Sequence, residues 1–215
     1  MSRSACATPP PTLFLLSPAR CASERATRLV DGRGTSELAR QLCSATGAPL
    51  GEVFAFLSSL YFRGKLAYAR TFARPAGERA GVFVITPGEG LTLESDHITA
   101  EQMRGFAQVE VHHANERFIA PLLRDAHALA ASAGPAARFV LLGSIASAKY
   151  IAPLQQVMGE RLLFPSEFVG RGDMSRGGLL LRSAQDNCEL DYIPVLGATL
   201  HGMRPPRLAP RKRGS

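Results

Sequence analysis

Short apolar runs, separated by stretches with helical periodicity, are the feature of this sequence that most constrains its fold. Residues 12–16, 82–85, 138–142 and 161–164 have the length and composition of buried strands, and residues 189–195 fit a final strand. Strands that alternate with helices predict an α/β protein. We expect an open, mostly parallel sheet of about five strands with helices on both faces.

Apolar residues at helical spacing predict the helices between these strands. The clearest pattern is the apolar stripe at residues 115–132. Thr35 is the predicted N-cap of a helix over residues 36–45, and residues 51–72 fit either two helices or one bent helix. Further helices are predicted at residues 23–30, at 96–108, at 175–183 and in a segment that ends near Met158.

Length and composition indicate one globular domain. The chain has 215 residues, of which 46% are hydrophobic and 20% are charged, and such a chain can bury a core of its own. No apolar run approaches the roughly 18 residues that a membrane helix needs. The run at residues 13–16 is also too short for the core of a signal peptide, which takes about 7–15 residues. We therefore expect a cytoplasmic protein without a membrane partner.

Cysteines and histidines give no sign of a metal site. The cysteines stand at Cys6, Cys21, Cys43 and Cys188. None of them forms a Cys-x-x-Cys pair or a Cys/His cluster at zinc spacing, so neither a structural metal nor a disulfide framework is expected. His112 and His113 are adjacent and lack a ligand-type partner four residues away, which favours a surface pair. No cofactor is predicted.

Positive charge is concentrated at the C-terminus. The net charge is +7, and five positive charges come from a proline-rich tail, which leaves 7 − 5 = +2 for the rest of the chain. These five are Arg204, Arg207, Arg211, Lys212 and Arg213. Such a tail attracts polyanions without reading their sequence. We expect a flexible segment at residues 1–11, one α/β domain at 12–203 and a disordered basic tail at 204–215. Before that tail the only lysines are Lys65 and Lys149.

Polar loops are predicted to gather at one edge of the sheet. In an open parallel sheet, ligands bind outside the carboxyl ends of the strands. Ser17 and Arg20 follow the first strand, and Glu89 lies in the predicted loop 86–91 after the second. Gly143 and Ser144 follow the third strand, and a helix start there offers free N–H groups to an anion, with Lys149 about one turn further on.

The fourth loop is rich in glycine and arginine. Its candidate residues are Gly170, Arg171, Gly172, Asp173, Ser175 and Arg176. Glycine admits the conformations that turn backbone N–H groups toward an anion, and arginine adds a guanidinium fork. The loop has neither the Lys-Ser/Thr ending of a P-loop nor the glycine spacing of a dinucleotide fingerprint. A structural interpretation stays open, in which the glycines make turns and the arginines pair with Asp173 or Glu167.

Two segments carry a resemblance to known families. Leu15-Leu16-Ser17-Pro18-Ala19-Arg20 resembles the opening strand and turn of the YaaA-like family. The strand that ends in Gly143, followed by Lys149-Tyr150 and a Leu-containing helix, is similar to nucleoside deoxyribosyltransferase-like α/β proteins. The resemblance implies a nucleotide-like or nucleic-acid ligand, and it carries over no specific activity.

Together these features favour an enzyme that acts on a nucleotide-like or phosphorylated substrate, with N-glycosidic cleavage or transfer as the candidate reaction. Asp173 would be the acid, base or nucleophile, and Glu89 a second carboxylate. Phosphate would be held by Arg20, Lys149, Arg171 and Arg176, with Ser17 and Ser144 as hydrogen-bonding positioners. The alternative is a nucleic-acid-binding or DNA-protecting module without catalysis, and a ligand sensor is a third class.

Overall fold

A computed structural model describes residues 9–32, 34–145, 148–198, 202–203, 205–206 and 208. Within them, six strands form an open sheet in the order β4-β3-β1-β6-β7-β8. These strands are β1 (Thr12–Leu16), β3 (Val82–Thr86), β4 (Gly90–Leu93), β6 (Arg138–Leu142), β7 (Leu162–Pro165) and β8 (Tyr192–Pro194). Two very short strands, β2 (Ala48–Pro49) and β5 (His97–Ile98), pair with each other.

The expected α/β class and the open, mostly parallel sheet are confirmed. The central strands β3, β1, β6 and β7 run parallel, while β4 and β8 are antiparallel edge strands. Every residue of β1 is buried, as a central strand between two neighbours requires. The count rises to six because β3 turns back into β4, where Thr86 pairs with Gly90. The prediction of a loop over residues 86–91 was therefore wrong at its first residue, Thr86, which ends β3, and at its last two residues, which begin β4.

Seven helices surround the sheet in the described part of the chain. They are α1 (Glu24–Val30), α2 (Glu37–Leu42), α3 (Leu50–Phe72), α4 (Ala100–Ala107), α5 (Glu116–Ala133), α6 (Ala148–Met158) and α7 (Asp173–Gln185). They cover both faces, with α3 packed against α7 and α5 packed against α6. None of the helices in these residues is both long and apolar enough to cross a membrane.

Side-chain capping fixes several helix starts. Ser36 Oγ accepts a hydrogen bond from the backbone N–H of Ala39, so Ser36, and not Thr35, is the N-cap of α2. Thr99 and Gln102 form a capping box at α4, which moves the start of that helix to Ala100 from the predicted residue 96.

Residues 50–72 form one helix, α3, which rests on α7 through two glycines. A Cβ atom placed on Gly64 of α3 would lie 2.5 Å from the carbonyl oxygen of Gly177 in α7. Only glycine allows the two backbones to approach this closely. On its other side α3 packs on the sheet, where the Tyr68 ring meets Phe14 of β1 edge-on at 5.8 Å.

The two ends of the chain are described only in part. Pro11 O accepts a hydrogen bond from Arg138 N, which ties the residues before β1 to the sheet. Near the other end, Pro206 O accepts a 3.4 Å hydrogen bond from Arg171 Nη1. Most of the predicted flexible start, residues 1–8, and most of the predicted basic tail lie outside the described residues.

Candidate functional site

Strand order places a crevice next to β1. The chain passes from β1 to β3 on one side and later enters β6 on the other. The loops that follow β1 and β6 therefore diverge at their carboxyl ends, and ligands of open α/β sheets bind at such a point. A cavity of about 860 Å³ lies here, which we call the cleft. Its volume falls within the range of roughly 300–1,000 Å³ that is usual for small-molecule sites.

Six parts of the chain build the cleft wall: the turn after β1, the middle of α3, the β3–β4 turn, the segment 106–111 at the end of α4, the loop and helix start at α6, and the start of α7. Of the predicted site residues, those that line the cleft are Ser17, Arg20, Ser144, Lys149 and Asp173. These residues come from three of the four predicted loops, and the remaining predicted loop, 86–91, contributes Pro87 to the cleft wall.

Lys65 of α3 is a buried lysine at the floor of the cleft. Its side chain is 1% exposed, and its Nζ donates to Ser17 O at 2.6 Å and to Ser17 Oγ at 2.9 Å. The ammonium also lies over the rings of Tyr61 and Phe62, 4.7 and 4.6 Å from their centroids. Among the described residues, no carboxylate comes within salt-bridge distance of it.

Burial changes the protonation of Lys65. Desolvation disfavours the charged form and lowers the pKa of the amine from 10.5 to about 7, against a smaller opposing effect of the Asp173 carboxylate. A large fraction of Lys65 is therefore a neutral amine near pH 7, with a lone pair that can accept a proton. Ser17 Oγ is the side-chain hydroxyl that this amine contacts.

Tyr150 and Gly143 complete the surroundings of Ser17. The Tyr150 hydroxyl donates to Ser144 O at 3.2 Å and also interacts with the Ser17 side chain. Burial raises the pKa of Tyr150, which keeps the phenol neutral. A Cβ atom on Gly143 would lie 3.0 Å from Ser17 Oγ and 3.0 Å from Tyr150 Oη. Glycine here leaves the two hydroxyl groups room to lie side by side, while its predicted contact with an anion remains a prediction.

Asp173 is one of two carboxylates that line the cleft, the other being Glu110 of the segment after α4. It is the first residue of α7, and its side chain is 69% exposed. The nearest cation is Arg176, whose Nη1 lies 3.8 Å from Asp173 Oδ1. An accessible carboxylate with only one long ion-pair contact is available to a ligand.

Glu89 does not reach the cleft. It lies in the turn between β3 and β4, where Gln102 Nε2 donates to its carboxylate at 3.3 Å. Pro87 of the same turn does line the cleft. The structure therefore does not bring Glu89 to the cleft beside Asp173, as the sequence predicted for two carboxylates of one site.

The arginines of the glycine-rich loop bind the loop itself. Arg176 is 11% exposed, and its Nε and Nη2 donate to Phe168 O at 3.3 and 3.1 Å. Arg171 donates to Glu167 O at 3.0 Å and to Ser175 Oγ at 3.2 Å. Neither guanidinium lines the cleft. These contacts favour the structural interpretation that the sequence left open for both arginines.

The two remaining glycines of this loop shape its backbone. Gly170 has a φ of 72°, and a Cβ atom there would lie 2.4 Å from Met203 O. Gly172 is the N-cap of α7, without a side-chain hydrogen bond to the helix. Neither residue lines the cleft, and neither does Ser175. Asp173 alone extends from this loop into the cleft.

Sequence reasoning missed Lys65, Tyr61 and Tyr150 as parts of the site. A signal for Lys65 was present, because it lies four residues after Tyr61 and one before Leu66 on the apolar side of a helical pattern. A lysine in that position is rarely buried without a partner. Its partner Ser17 is 48 residues away in sequence, so the pair itself could not be anticipated.

Other reactive groups near the cleft are accounted for. Burial raises the pKa of the Cys21 thiol to about 12, so Cys21 lines the cleft as a protonated thiol and not as a thiolate nucleophile. Across the residues that the structure covers, no three His, Cys, Asp or Glu side chains are grouped so as to hold a metal ion.

Comparison with protein-family models, with curated proteins and with solved structures found no match to the chain.

Proposed function

We propose that the protein is an enzyme that acts on a nucleotide-like or phosphorylated substrate bound in the cleft, by cleavage or transfer at an N-glycosidic bond. The observation that carries this proposal is the composition of the cleft wall, which combines two exposed carboxylates, Asp173 and Glu110, with two exposed cationic side chains, Arg20 and Lys149.

Arg20 and Lys149 are the residues that would bind the phosphate of the substrate. Arg20 follows β1 and Lys149 belongs to the first turn of α6, so they come from the two loops that diverge at the crevice. Both side chains are exposed and can reach a ligand. A phosphate bound between them would gain charge-assisted hydrogen bonds, each contributing roughly 1.5–3 kcal/mol.

Asp173 supplies the chemical part. Cleavage of an N-glycosidic bond develops positive charge on the sugar, and a carboxylate beside that carbon stabilises the charge or attacks it. Asp173 is an accessible carboxylate at the start of α7, and it lines the cleft together with the turn after β1. Because Glu89 does not line the cleft, Asp173 takes the nucleophile or general-base role without a second carboxylate from the β3–β4 turn.

The size of the cleft supports a small molecule over a polymer. A volume of about 860 Å³ accommodates a nucleotide. The contacts of Arg171 and Arg176 with their own loop also take two guanidiniums away from the basic surface that a nucleic-acid-binding module would use.

The test begins with thermal shifts over nucleosides, nucleotides, sugar phosphates and short oligonucleotides, since a ligand of the native state raises its stability. A phosphorylated small molecule is expected to raise the melting temperature. The shift in melting temperature should shrink in Arg20→Ala and Lys149→Ala. It should persist in Arg117→Ala, which removes an exposed arginine of α5 that does not line the cleft.

Turnover of that ligand is then followed by chromatography of the released base. Asp173→Asn should still bind and should lose roughly a hundredfold or more in rate. Full turnover in Asp173→Asn would remove the residue from the mechanism. Stabilisation by oligonucleotides alone, with affinity that falls steeply with salt, would replace the enzyme proposal with the nucleic-acid-binding alternative.

A further inference from the structure

The buried Lys65 has no structural counter-charge in the described structure. Both of its hydrogen bonds go to one residue, Ser17, two aromatic rings lie beside its nitrogen, and the Asp173 carboxylate acts on it only from beyond salt-bridge distance. An apolar side chain of similar length would fill the same space without the cost of desolvating an amine. A lysine held at this cost, with its nitrogen on a hydroxyl at the cleft wall, is arranged for proton transfer.

We propose that Ser17 is a nucleophile and Lys65 its general base, in a serine–lysine pair that transfers an acyl group from an ester bound in the cleft. This goes beyond the N-glycosidic reaction and does not depend on it, because it uses neither Asp173 nor the cations of the cleft. The distance of 2.9 Å between Nζ and Oγ is that of a nucleophile hydrogen-bonded to its base.

Ser17 and Lys65 carry all of the proton transfers between the enzyme, the leaving alkoxide and water. The neutral amine of Lys65 takes the proton of Ser17 Oγ as the oxygen attacks the ester carbonyl carbon. The bond from that carbon to the leaving alkoxide breaks, and the alkoxide leaves with the proton from Lys65. Water then attacks the acyl-serine and gives a proton to Lys65. The bond from the acyl carbon to Ser17 Oγ breaks, and the serine oxygen recovers its proton. The sum is ester plus water to acid plus alcohol.

Neighbouring groups suit this chemistry. A base is most effective when its pKa lies near the working pH, and burial brings the pKa of Lys65 to about 7. Pro18 follows Ser17 and has no N–H, so the amide after the nucleophile cannot stabilise the oxyanion. Tyr150 brings a neutral hydroxyl next to Ser17, and this hydroxyl would serve the oxyanion by turning its one proton away from Ser144 O.

The test is covalent labelling of the full chain with a fluorophosphonate, which phosphonylates nucleophilic serines with loss of fluoride. Intact mass and peptide mapping should show one adduct, on Ser17. Ser17→Ala should abolish labelling, while Ser58→Ala, which alters another serine of the cleft wall, should leave it unchanged. An absence of any adduct on the folded parent, or an equal adduct on Ser17→Ala, would overturn the proposal.

The role of Lys65 is tested by pH and by substitution. The labelling rate of the parent should rise through about pH 7 and level off above it, following the neutral amine. Lys65→Met should label at least a hundredfold more slowly, and a melting curve shows that the variant is folded. A rate independent of pH between about 5 and 9 would overturn the base role, even if the variant fails to fold. No nucleotide enters these assays, so they succeed or fail separately from the N-glycosidic proposal.

Discussion

Replacing Lys65 with methionine should change how stability depends on pH. In the folded protein, burial lowers the pKa of this amine to about 7, against 10.5 when it is exposed. Between these values the unfolded chain binds one more proton than the folded chain. The stability of the parent therefore gains from rising pH in this window, and below about pH 7 the burial cost is present in full. Methionine removes the titrating group and keeps a similar length.

The size of the effect follows from the shift. A difference of about 3.5 pKa units corresponds to about 5 kcal/mol in all, at about 1.36 kcal/mol per unit. Of this, about 3 kcal/mol falls between pH 7 and pH 9.5. The parent should therefore gain about 3 kcal/mol over Lys65→Met across this interval. Loss of the two hydrogen bonds to Ser17 adds a cost to the variant of about 1–3 kcal/mol that does not vary with pH.

Urea denaturation of both proteins at the two pH values measures the effect. Taking the difference between parent and variant removes the contribution of the tyrosines, whose titration both proteins share. Lys149→Met, which removes an exposed lysine from the same cleft, is the matched control and should give a constant difference from the parent. If the parent and Lys65→Met differ by the same free energy at both pH values, Lys65 is not a desolvated amine and the argument for a neutral base fails.

Three further changes test other parts of the site. Gly143→Ala places a methyl group within 3.0 Å of Ser17 Oγ and Tyr150 Oη, so fluorophosphonate labelling should slow at least tenfold, while urea denaturation should show a loss of about 1–3 kcal/mol. Arg176→Ala removes two hydrogen bonds from a nearly buried guanidinium to Phe168 O, and urea denaturation should show a loss of about 1.5–3 kcal/mol in the free energy of unfolding. Unchanged stability would favour a ligand-binding role for this arginine. Truncation after Met203 removes Pro206, whose carbonyl accepts a 3.4 Å hydrogen bond from Arg171, and should lower the free energy of unfolding by less than about 1.5 kcal/mol. A drop of many degrees in the melting temperature would show that the tail contributes much more.

Local pattern was enough to predict the central strands. The buried runs that became β1, β3, β6 and β7 are continuous apolar segments, and parallel strands covered on both faces have that composition. The edge strand β4 was missed because its sequence, Gly-Leu-Thr-Leu, is short and follows a turn. Its pairing with β3 depends on the hairpin geometry, which no period in the sequence encodes.

The site was predictable where it depends on topology alone. The rule that ligands bind at the carboxyl ends of strands placed Ser17, Ser144 and Asp173 at one edge, and all three line the cleft. The sequence also predicted Asp173 as a partner of the loop arginines, and Arg176 pairs with it at 3.8 Å, but the closer hydrogen-bond partners of the site side chains were not predictable. Arg176 and Glu89 look like ligand groups in sequence, but each is engaged by a loop carbonyl or an amide that only the folded chain brings near.

The packing of α3 on α7 at Gly64 and Gly177 affects two residues of the cleft, Lys65 and Asp173, although neither glycine lines the cleft. Lys65 is the residue after Gly64, and Asp173 begins α7 one turn before Gly177. Because the two backbones are in direct contact there, no side chain separates the helices. This contact fixes the distance between α3 and α7, and with it the distance between the lysine and the carboxylate. Since the Asp173 charge opposes the fall in the pKa of Lys65, a single methyl group added at Gly64 or Gly177 would alter the basicity of the amine without touching any group that meets the ligand.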